Sequence, residues 1–487
     1  MGLPSKVVYS RVVGHLTHYL LARRGPRNTT VGYDCRNVCS IDALVPDRGG
    51  VLHRARSKLL IGSERSSGRS RCRSDSYFYS ARRWRRPRSC RSAHRRLLPV
   101  GERIADPSFG TTIRRVSDAS GRGGFETHVY SQLQAFSDDN RFLLLDGSDG
   151  IIVRRVDDLS TVQGLDTSGW NAPRWHPTRP HVLVHFDSNA DSRVLLQETN
   201  LDDLSTTTLF AFPERYQTVL GSMSWEEMSR DGVWTAAALV RDDDETVITS
   251  LNLDSKTLGA ELAIQDLFAS ACEPDPVWGV LEPDWIGVSP LGNYLVVQWA
   301  RDGVDRCSGL ETFDLATGDF VGRVYDGHQH GDLGVDSDGE SEFFMTTEFS
   351  SPEDNNRPAL AIRSLPGTET VSEPDYLRVM DWADLDHISC QGPHGVCLVS
   401  WGRSDDPEQP LKDEIFMIRT DGSVVRLVHH QSSKCGYWVQ PRASISRDGS
   451  LAVFASDWGA ATGAESCASE FDLRLSDPYI IEIPTGS

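Results

Sequence analysis

Residues 437–459 read YWVQPRASISRDGSLAVFASDWG, and this stretch decides the fold. Ala443 and Ile445 alternate with serine in a first apolar segment, and a second apolar segment follows at 451–454. The two are joined by Ser-Arg-Asp-Gly, in which Asp and Gly tolerate the positive φ angles that a tight turn requires. The stretch therefore predicts a β-hairpin made of two short strands.

The same hairpin pattern recurs along the chain. With Ser446 as the reference position, the equivalent turn residues are Ser137, Pro177, Ser229, Ser289 and Asp336. They are separated by 40, 52, 60 and 47 residues, and a degenerate sixth unit lies at 387–401. Repeats of this length, each followed by a polar return strand, are typical of four-stranded blades. The chain is therefore predicted to be all-β, with a seven-bladed β-propeller at 105–487. Eight blades or two β-sandwiches use the predicted strands less completely.

A lone strand on each side of the repeats indicates how the ring closes. Residues 111–116 (TTIRRV) precede the first hairpin, and residues 478–483 (PYIIEI) follow the last one. If the first strand pairs into the final blade, no sheet edge stays open. We therefore expect the final blade to combine strands from both ends of the propeller.

The first 104 residues differ in composition from the rest. Residues 1–100 hold 22 of the 50 Lys and Arg residues but only 5 of the 69 Asp and Glu residues, a formal net charge of +17 against −36 for 101–487. Residues 54–96 are dominated by Arg and Ser without apolar periodicity, which is typical of a low-complexity extension. A nucleic-acid-binding arm, a transit peptide and a wrongly assigned start of translation are the three interpretations. The abrupt change near residue 100 favours the third.

The acidic balance of the predicted propeller limits its partners. Lysine occurs there only at Lys256, Lys412 and Lys434. Such a surface disfavours nucleic acid and anionic membranes, and it suits either a salt-adapted organism or an ordinary acidic secreted protein. The sequence has no apolar run of the length that a membrane-spanning helix needs. We expect a monomer whose partner is an oligosaccharide or a protein bound at the channel mouth.

The propeller contains six cysteines, at positions 272, 307, 390, 397, 435 and 467. Cys390 and Cys397 flank a turn and could bridge across a hairpin, and no CxxC spacing indicates structural zinc. Disulfides would favour an extracellular or periplasm-like compartment. Six buried thiols, compatible with a cytoplasmic protein, are the alternative.

Polar and aromatic residues gather just before the hairpin turns, on the strands that line the channel. Counted back from the reference residues, Asp332, Arg442, Trp225 and Trp285 stand at minus four, His330 and Gln440 at minus six, and His328 and Trp438 at minus eight. His128 and Tyr130 precede the first hairpin at a similar depth. Buried inner strands should prefer small apolar residues, so these side chains are the candidates for a site at one mouth of the channel.

The sharpest motif is Gly-His-Gln-His-Gly-Asp at 327–332. Side chains two apart on a strand point to the same face, so His328 and His330 could meet one ligand. Two imidazoles with a nearby carboxylate suit a divalent metal ion or acid–base chemistry. Arg442 on an inner strand needs an anion, either Asp332 or Glu282 or a carboxylate on a ligand. Histidines packed and hydrogen-bonded between strands are the alternative interpretation.

The repeats resemble those of TolB-like, WD40-like (PD40) propellers, whose blades carry the pattern P-x-W-S-P-D-G-K-x-I-A-F. Residues 446–449 followed by Phe454 match this pattern, and residues 173–177 (PRWHP) match its first half. Within this fold the chain is most similar to the oligogalacturonate-lyase type, and more loosely to ulvan lyases, through Gln440 ahead of SRDGSLAVFASDWG and the inner-strand histidines. Propellers host unrelated functions, so the resemblance bears first on the fold.

The lyase resemblance implies β-elimination at a uronate. It gives Arg442 the substrate carboxylate and His128 or Tyr130 the proton at C5. It also implies a divalent ion such as Mn, Ca or Zn, bound by His328, His330 and Gln440. The substrate sugars would be contacted by Trp225, Trp285, Trp438 and Asp332.

One departure from the family concerns the last blade. The family places histidines shortly after the glutamine, whereas this chain has Pro441, Arg442, Ala443 and Ser444 there. The net charge of −36 also repels a polyanionic substrate unless salt screens it. A non-catalytic, TolB-like propeller that binds a sugar, a peptide or a protein is therefore the rival hypothesis.

Overall fold

The computed structural model describes residues 41–46, residues 52–57 and, between 97 and 484, all residues except 188–192, 225, 275, 278–281, 302, 350–356, 383–385, 403–410, 434–435 and 460–474. The chain divides into two units, Met1–Arg86 and Pro87–Ser487. In the first unit, Ile41–Pro46 and Leu52–Ser57 form an antiparallel hairpin.

Seven β-sheets follow one another along the second unit, which confirms the predicted seven-bladed β-propeller. Adjacent strands within a blade are antiparallel, and the strand order within each sheet follows the chain except in blade 3, where Leu262–Ala263 pairs with Thr246–Asn252, and in the last blade. Blade 1 consists of the strands Glu126–His128, Phe142–Gly147 and Gly150–Arg155. Blade 2 consists of Trp170–Trp175, Val182–Asp187, Leu195–Asn200 and Thr206–Ala211. Blade 3 consists of Tyr216–Val219, Trp234–Arg241, Thr246–Asn252, Thr257–Leu258 and Leu262–Ala263. Blade 4 consists of Glu282–Val288, Tyr294–Arg301, Leu310–Asp314 and Phe320–Tyr325. Blade 5 consists of Gly331–Val335, Glu342–Glu348, Ala359–Ser364 and Asp375–Val379. Blade 6 consists of Asp386–Ser389, Val396–Trp401, Glu414–Arg419 and Val424–His429.

Blade 7 closes the ring with strands from both ends of the propeller. Its order is Ser444–Ile445, Leu451–Ser456, Asp477–Glu482, Thr112–Arg115 and Arg103–Ala105. Tyr479 lies opposite Arg115 in the antiparallel pair that joins the two chain ends. The prediction that residues 111–116 complete the final blade is therefore confirmed.

The propeller begins earlier than the predicted boundary at residue 105. Leu98 is 7% exposed and packs in the apolar cluster of blade 7 with Ile113 and Ile481. The Arg115 guanidinium donates a hydrogen bond of 2.7 Å to the carbonyl of Leu98. The sequence did not predict that Leu98 belongs to the propeller, because it directly follows the Arg-rich stretch and a single apolar residue has no periodicity.

The hairpin turn that decides the fold is held by its own side chains. The Ser446 hydroxyl donates to Asp448 at 2.7 Å and accepts the amide of Leu451 at 2.9 Å. Gly449 has φ +73°, and a Cβ there would come within 2.8 Å of the Pro393 ring. The same serine-to-aspartate hydrogen bond occurs at Ser137 in blade 1 and Ser229 in blade 3. The recurring turn therefore has a repeated physical cause, because Asp fixes the loop and a Gly, or Asn140 in blade 1, supplies the left-handed conformation.

Helical structure is confined to connections. The described residues form one α-helix, Ile264–Ser270, and two 3₁₀-helices, Ser120–Arg122 and Tyr437–Val439. None of the described helices has the length and apolar character that crossing a bilayer requires.

Two disulfides join Cys272 to Cys307 and Cys390 to Cys397. The second confirms the bridge predicted across the hairpin of blade 6. Cys435 and Cys467 lie outside the described residues.

Candidate functional site at the propeller axis

Side chains from blades 1, 5, 6 and 7 meet in one group, which we call the axial cluster: His128, Tyr130, His330, His387 and Arg442. The His387 ring stacks on His330 and meets the edge of Tyr130, with ring centres 4.3 and 5.6 Å apart. The Arg442 guanidinium carbon lies 5.8 Å from the centre of the Tyr130 ring. Blades 5 and 1 are not neighbours in the ring, so their side chains can share partners only near the axis.

The backbone of Arg442 is held in an unusual conformation. Its φ is +42°, in the left-handed region that side-chain-bearing residues rarely adopt. Three contacts fix it: the amide of Ala455 donates to the Pro441 carbonyl at 3.0 Å, the ring of His128 donates to the Arg442 carbonyl, and the next amide donates to Ser400 at 2.8 Å. Such strain persists only where the surroundings over-determine it, and it is concentrated at functional sites.

The guanidinium of Arg442 is buried without a counter-charge. Its side chain is 0% exposed, and neither Nε nor Nη1 has a hydrogen-bond partner. Nη2 makes one long hydrogen bond of 3.4 Å to the Thr127 hydroxyl. The guanidinium carbon lies 4.3 Å from the centre of the Tyr437 ring and 5.7 Å from that of Trp438. Aromatic faces attract the cation but leave its N–H groups free, so these donors can bind an anion.

Asp146 is the acidic group whose titration Arg442 affects most clearly. Burial raises the pKa of Asp146 above its ordinary value, and the charge of Arg442 only partly opposes this rise. Within the described part of the chain, no carboxylate forms an ion pair with Arg442. The predicted partners Asp332 and Glu282 are therefore not the anions that Arg442 faces.

His387 is a buried imidazole with both ring nitrogens unpartnered. Burial, the most important cause, holds its pKa well below the ordinary value, and electrostatic interactions with His330, Arg442 and His128 lower it further. The ring is therefore neutral at physiological pH and has a lone pair available. A neutral imidazole beside an unpaired guanidinium is what proton abstraction next to a carboxylate needs.

His128 has a different role from the one that the resemblance implied. Its Nε2 donates to the carbonyl of Arg442, so this nitrogen is engaged in holding the backbone. Burial, followed by the charge of Arg442, lowers the pKa of His128 to about 3. Since the side chain is fully buried and tied to the main chain, it positions Arg442, and His387 is better placed to accept a proton.

The cluster has an open side. His330 is exposed and covers one face of His387, and its carbonyl accepts a hydrogen bond from Thr346. Tyr437 is 38% exposed and lies over Arg442. Tyr130 is half-buried between them. Depth therefore increases from His330 and Tyr437 at the surface to His387, Arg442 and His128 beneath.

The predicted tryptophans do not form a common ring. Trp285 is buried between blades 4 and 5, in an apolar cluster with Val296 and Phe344, so it offers no face to a ligand. Trp438 stacks on Phe125 at 4.1 Å and borders Arg442. Trp225 lies outside the described residues. Trp285 thus shares the offset of Arg442 without sharing its environment, and the register of its strand shifts between Pro283 and Trp285.

Asp332 lies in a separate network within the propeller core. Its carboxylate accepts the amides of Leu333 and Cys390 and the side chain of Gln391. Gln391 also contacts Glu226 at 3.5 Å. Burial raises the pKa of both acids well above their ordinary values, and for Glu226 the charge of Asp332 is the next cause. Asp332 is therefore held by the protein and does not reach out to a ligand at the mouth.

The residues proposed for a metal do not converge. His328 Nε2 lies 3.0 Å from a carboxylate oxygen of Asp284, whereas His330 stacks on His387. Gln440 is half-buried just after the 3₁₀-helix. The part of the chain that the structure describes contains no group of three or more His, Cys, Asp or Glu side chains arranged to hold a metal ion. The donor set implied by the family therefore does not fit this chain.

The comparisons with known proteins give the fold but no family. No protein-family model and no curated protein sequence matches the chain. The oligogalacturonate lyase of Vibrio parahaemolyticus is similar in structure, with 12% identity, a TM-score of 0.51 and coverage of 79% of this chain and 96% of that one. An oligogalacturonate lyase in complex with manganese has 14% identity, a TM-score of 0.50 and the same coverages. TolB from Acinetobacter baumannii is 13% identical over 63% of each chain, with a TM-score of 0.30. The resemblance to the two oligogalacturonate lyases is thus confirmed for the fold.

Proposed function

We propose that the axial cluster binds a uronate residue of an acidic oligosaccharide and cleaves the adjoining glycosidic bond by β-elimination. The observation that carries the proposal is the pairing of two unsatisfied buried groups: Arg442, with free Nε and Nη1, and neutral His387, with both ring nitrogens free. Leaving such groups unpaired costs stability, which is expected where a ligand completes them. The similarity in fold to two oligogalacturonate lyases supports the choice of reaction.

Arg442 supplies the electrostatic part of the reaction. Nη1 and Nη2 donate to the two oxygens of the uronate carboxylate, Nη2 through the proton that is not directed at Thr127, because the end of a guanidinium matches a carboxylate in a bidentate geometry. Neutralising the carboxylate makes the proton on the neighbouring C5 more acidic. The buried setting strengthens this effect, since little water competes for the charge.

His387 and Tyr130 carry the protons. The lone pair of His387 accepts the proton from C5, the C–H electrons form the C4–C5 double bond, and the bond from C4 to the glycosidic oxygen breaks. The Tyr130 hydroxyl donates a proton to that oxygen as it leaves. The edge-on contact between the rings of Tyr130 and His387 supports this pairing of an acid with a base.

The substrate reaches these groups past Tyr437, whose exposed ring covers the guanidinium. An incoming carboxylate replaces the cation–π contact, worth about 0.5–1 kcal/mol at an exposed site, with charge-assisted hydrogen bonds of about 1.5–3 kcal/mol each. The exchange is therefore favourable. The two disulfides favour an oxidising, extracellular or periplasm-like setting for this reaction.

The proposal is tested by incubating the protein with oligogalacturonate and ulvan oligomers and following the ultraviolet absorbance of the unsaturated uronate product. We expect product with the wild-type chain and a loss of at least about 100-fold in kcat for His387→Gln, as for a general base. His429→Gln, on the outer strand of the same blade, is the matched control and should retain activity. Binding without product would favour the non-catalytic propeller, and neither binding nor product would reject the proposed site.

A further inference from the structure

We infer that Arg442 takes the place of a divalent metal ion, so that the axial cluster binds its uronate carboxylate without any metal. The inference rests on the proposed function. It concerns which group in this chain neutralises the charge of the substrate carboxylate. The reason for it is that the residues of the axial cluster do not suit the metal ion that the lyase resemblance implies.

The last blade has no ligands where the family places histidines. Ala443 and Ile445 are fully buried and pack in the apolar cluster of blade 7, with Phe454 among their neighbours. The hydroxyl of Ser444 donates to the carbonyl of Leu133 at 2.8 Å and is therefore engaged. None of these three positions can supply a metal ligand to the axis.

The histidines that remain are not arranged around a common point. An ion is bound by lone pairs that lie in the plane of each imidazole, at about 2.0–2.1 Å for zinc. The rings of His330 and His387 are stacked, with 19° between their planes and 4.3 Å between their centres, so their lone pairs run side by side. The Nε2 of His128 donates to the Arg442 carbonyl, so this ring could offer an ion only its Nδ1, which alone is too few ligands for a metal site.

A permanent cation already lies at the place where these histidines meet. His128 donates a hydrogen bond to the Arg442 carbonyl, and the Tyr130 ring, which contacts His387, has its centre 5.8 Å from the carbon of the Arg442 guanidinium. A divalent ion next to it would have to overcome this positive charge in a buried setting. Three contacts hold the backbone of Arg442 in its left-handed conformation, and this conformation directs the guanidinium into the cluster. The chain has therefore built a fixed cation where a metal would otherwise be bound.

The experiment uses the full chain, dialysed against a chelator and then freed of it. Isothermal titration with trigalacturonate is compared before and after addition of Mn²⁺, and Mn²⁺ is also titrated alone. We expect trigalacturonate to bind with dissociation constants that agree within about twofold with and without the metal. We also expect no heat from Mn²⁺ alone and no shift of the thermal midpoint.

Two variants complete the test. Arg442→Gln should weaken binding by about 10-fold or more, since a charge-assisted hydrogen bond is worth about 1.5–3 kcal/mol, and Mn²⁺ should not restore it. Arg426→Gln, an outer-strand arginine of blade 6 paired with Glu414, is the matched control. Binding that disappears after chelation and returns with Mn²⁺ would overturn the inference while leaving the proposed function in place. No binding under either condition would reject the proposed function, and the inference with it.

Discussion

The imidazole of His387 lies parallel to that of His330, with ring centres 4.3 Å apart and 19° between the planes. One ring is buried and the other is exposed, so His330 shields His387 from water. Burial is the main reason why the pKa of His387 is low, and the charge of His330 adds to it. Removing His330 should therefore raise the pKa of His387.

The first prediction concerns the pH profile of His330→Ala. A general base must be neutral, so a higher pKa moves the acid limb of kcat/KM to higher pH. Thermal stability should change by less than about 1 kcal/mol, because His330 is exposed. His429→Ala should leave the profile unchanged. An unmoved acid limb in His330→Ala would show that the stack does not tune the base.

The second prediction concerns stability in acid. The pKa of His128 is about 3 in the folded protein and about 6.5 in the unfolded chain, so the unfolded chain binds its proton first as the pH falls. Stability from this group is therefore full above about pH 6.5 and is lost as the pH falls towards 3, by up to about 5 kcal/mol.

The variant His128→Asn isolates that contribution. It keeps a donor for the Arg442 carbonyl but cannot titrate, so its free energy of unfolding should fall less than that of the wild type between about pH 6.5 and 4. The comparison is needed because Glu226 and Asp332, with raised pKa values, contribute a trend of the opposite sign. The free energy of unfolding is measured in urea at each pH. If it changes equally with pH in both proteins, His128 is not the group that causes the loss of stability in acid.

The third prediction concerns ring closure. Arg115 forms a buried ion pair of 2.7 Å with Asp477, which joins the strand Thr112–Arg115 to the last strand of the propeller. Arg115→Ala leaves a buried carboxylate unpaired and should lower the free energy of unfolding by about 3–5 kcal/mol. Arg103→Ala, which breaks the exposed pair with Glu482, should cost less than about 1 kcal/mol. Similar losses from both variants would show that the Arg115 pair does not secure the closure.

The fourth prediction concerns the N-terminal extension. A chain that starts at Leu97 should unfold at the temperature of the full chain, because the propeller's own described contacts begin at Leu98. A chain that starts at Gly101 lacks Leu98 and should lose about 2 kcal/mol or more. The thermal midpoints of the full chain and of the two shortened chains are compared by calorimetry. A lower midpoint for the Leu97 chain would show that residues 1–96 stabilise the propeller.

The sequence predicted the fold well because each turn has a local cause. Ser446, Asp448 and Gly449 fix one hairpin through contacts within a few residues, and spacing alone then reveals the blades. Pairing of the chain ends could also be predicted, since a ring that does not close exposes a sheet edge.

The site was predicted in part. Arg442, Tyr130 and His330 lie together, but His387 was missed because its blade has Pro393-His394-Gly395 at the turn and no serine by which to align it. A histidine next to Ile388 on the inner strand Asp386–Ser389 was the available signal. Trp285 and Asp332 share an offset with Arg442, yet one packs between blades and the other binds backbone amides. Burial of that kind depends on contacts between blades, which a single blade's pattern does not contain.

The most direct measurement of the central claim is a calorimetric titration with trigalacturonate and with its methyl ester, which differ only in the charge of the carboxyl groups. If Arg442 receives a uronate carboxylate, the acid form should bind at least about 10-fold more tightly than the ester, and Arg442→Gln, which leaves the added methyl group of the ester as the remaining difference, should bind both alike. Equal affinities of the wild-type chain for the acid and the ester would contradict a carboxylate site at Arg442.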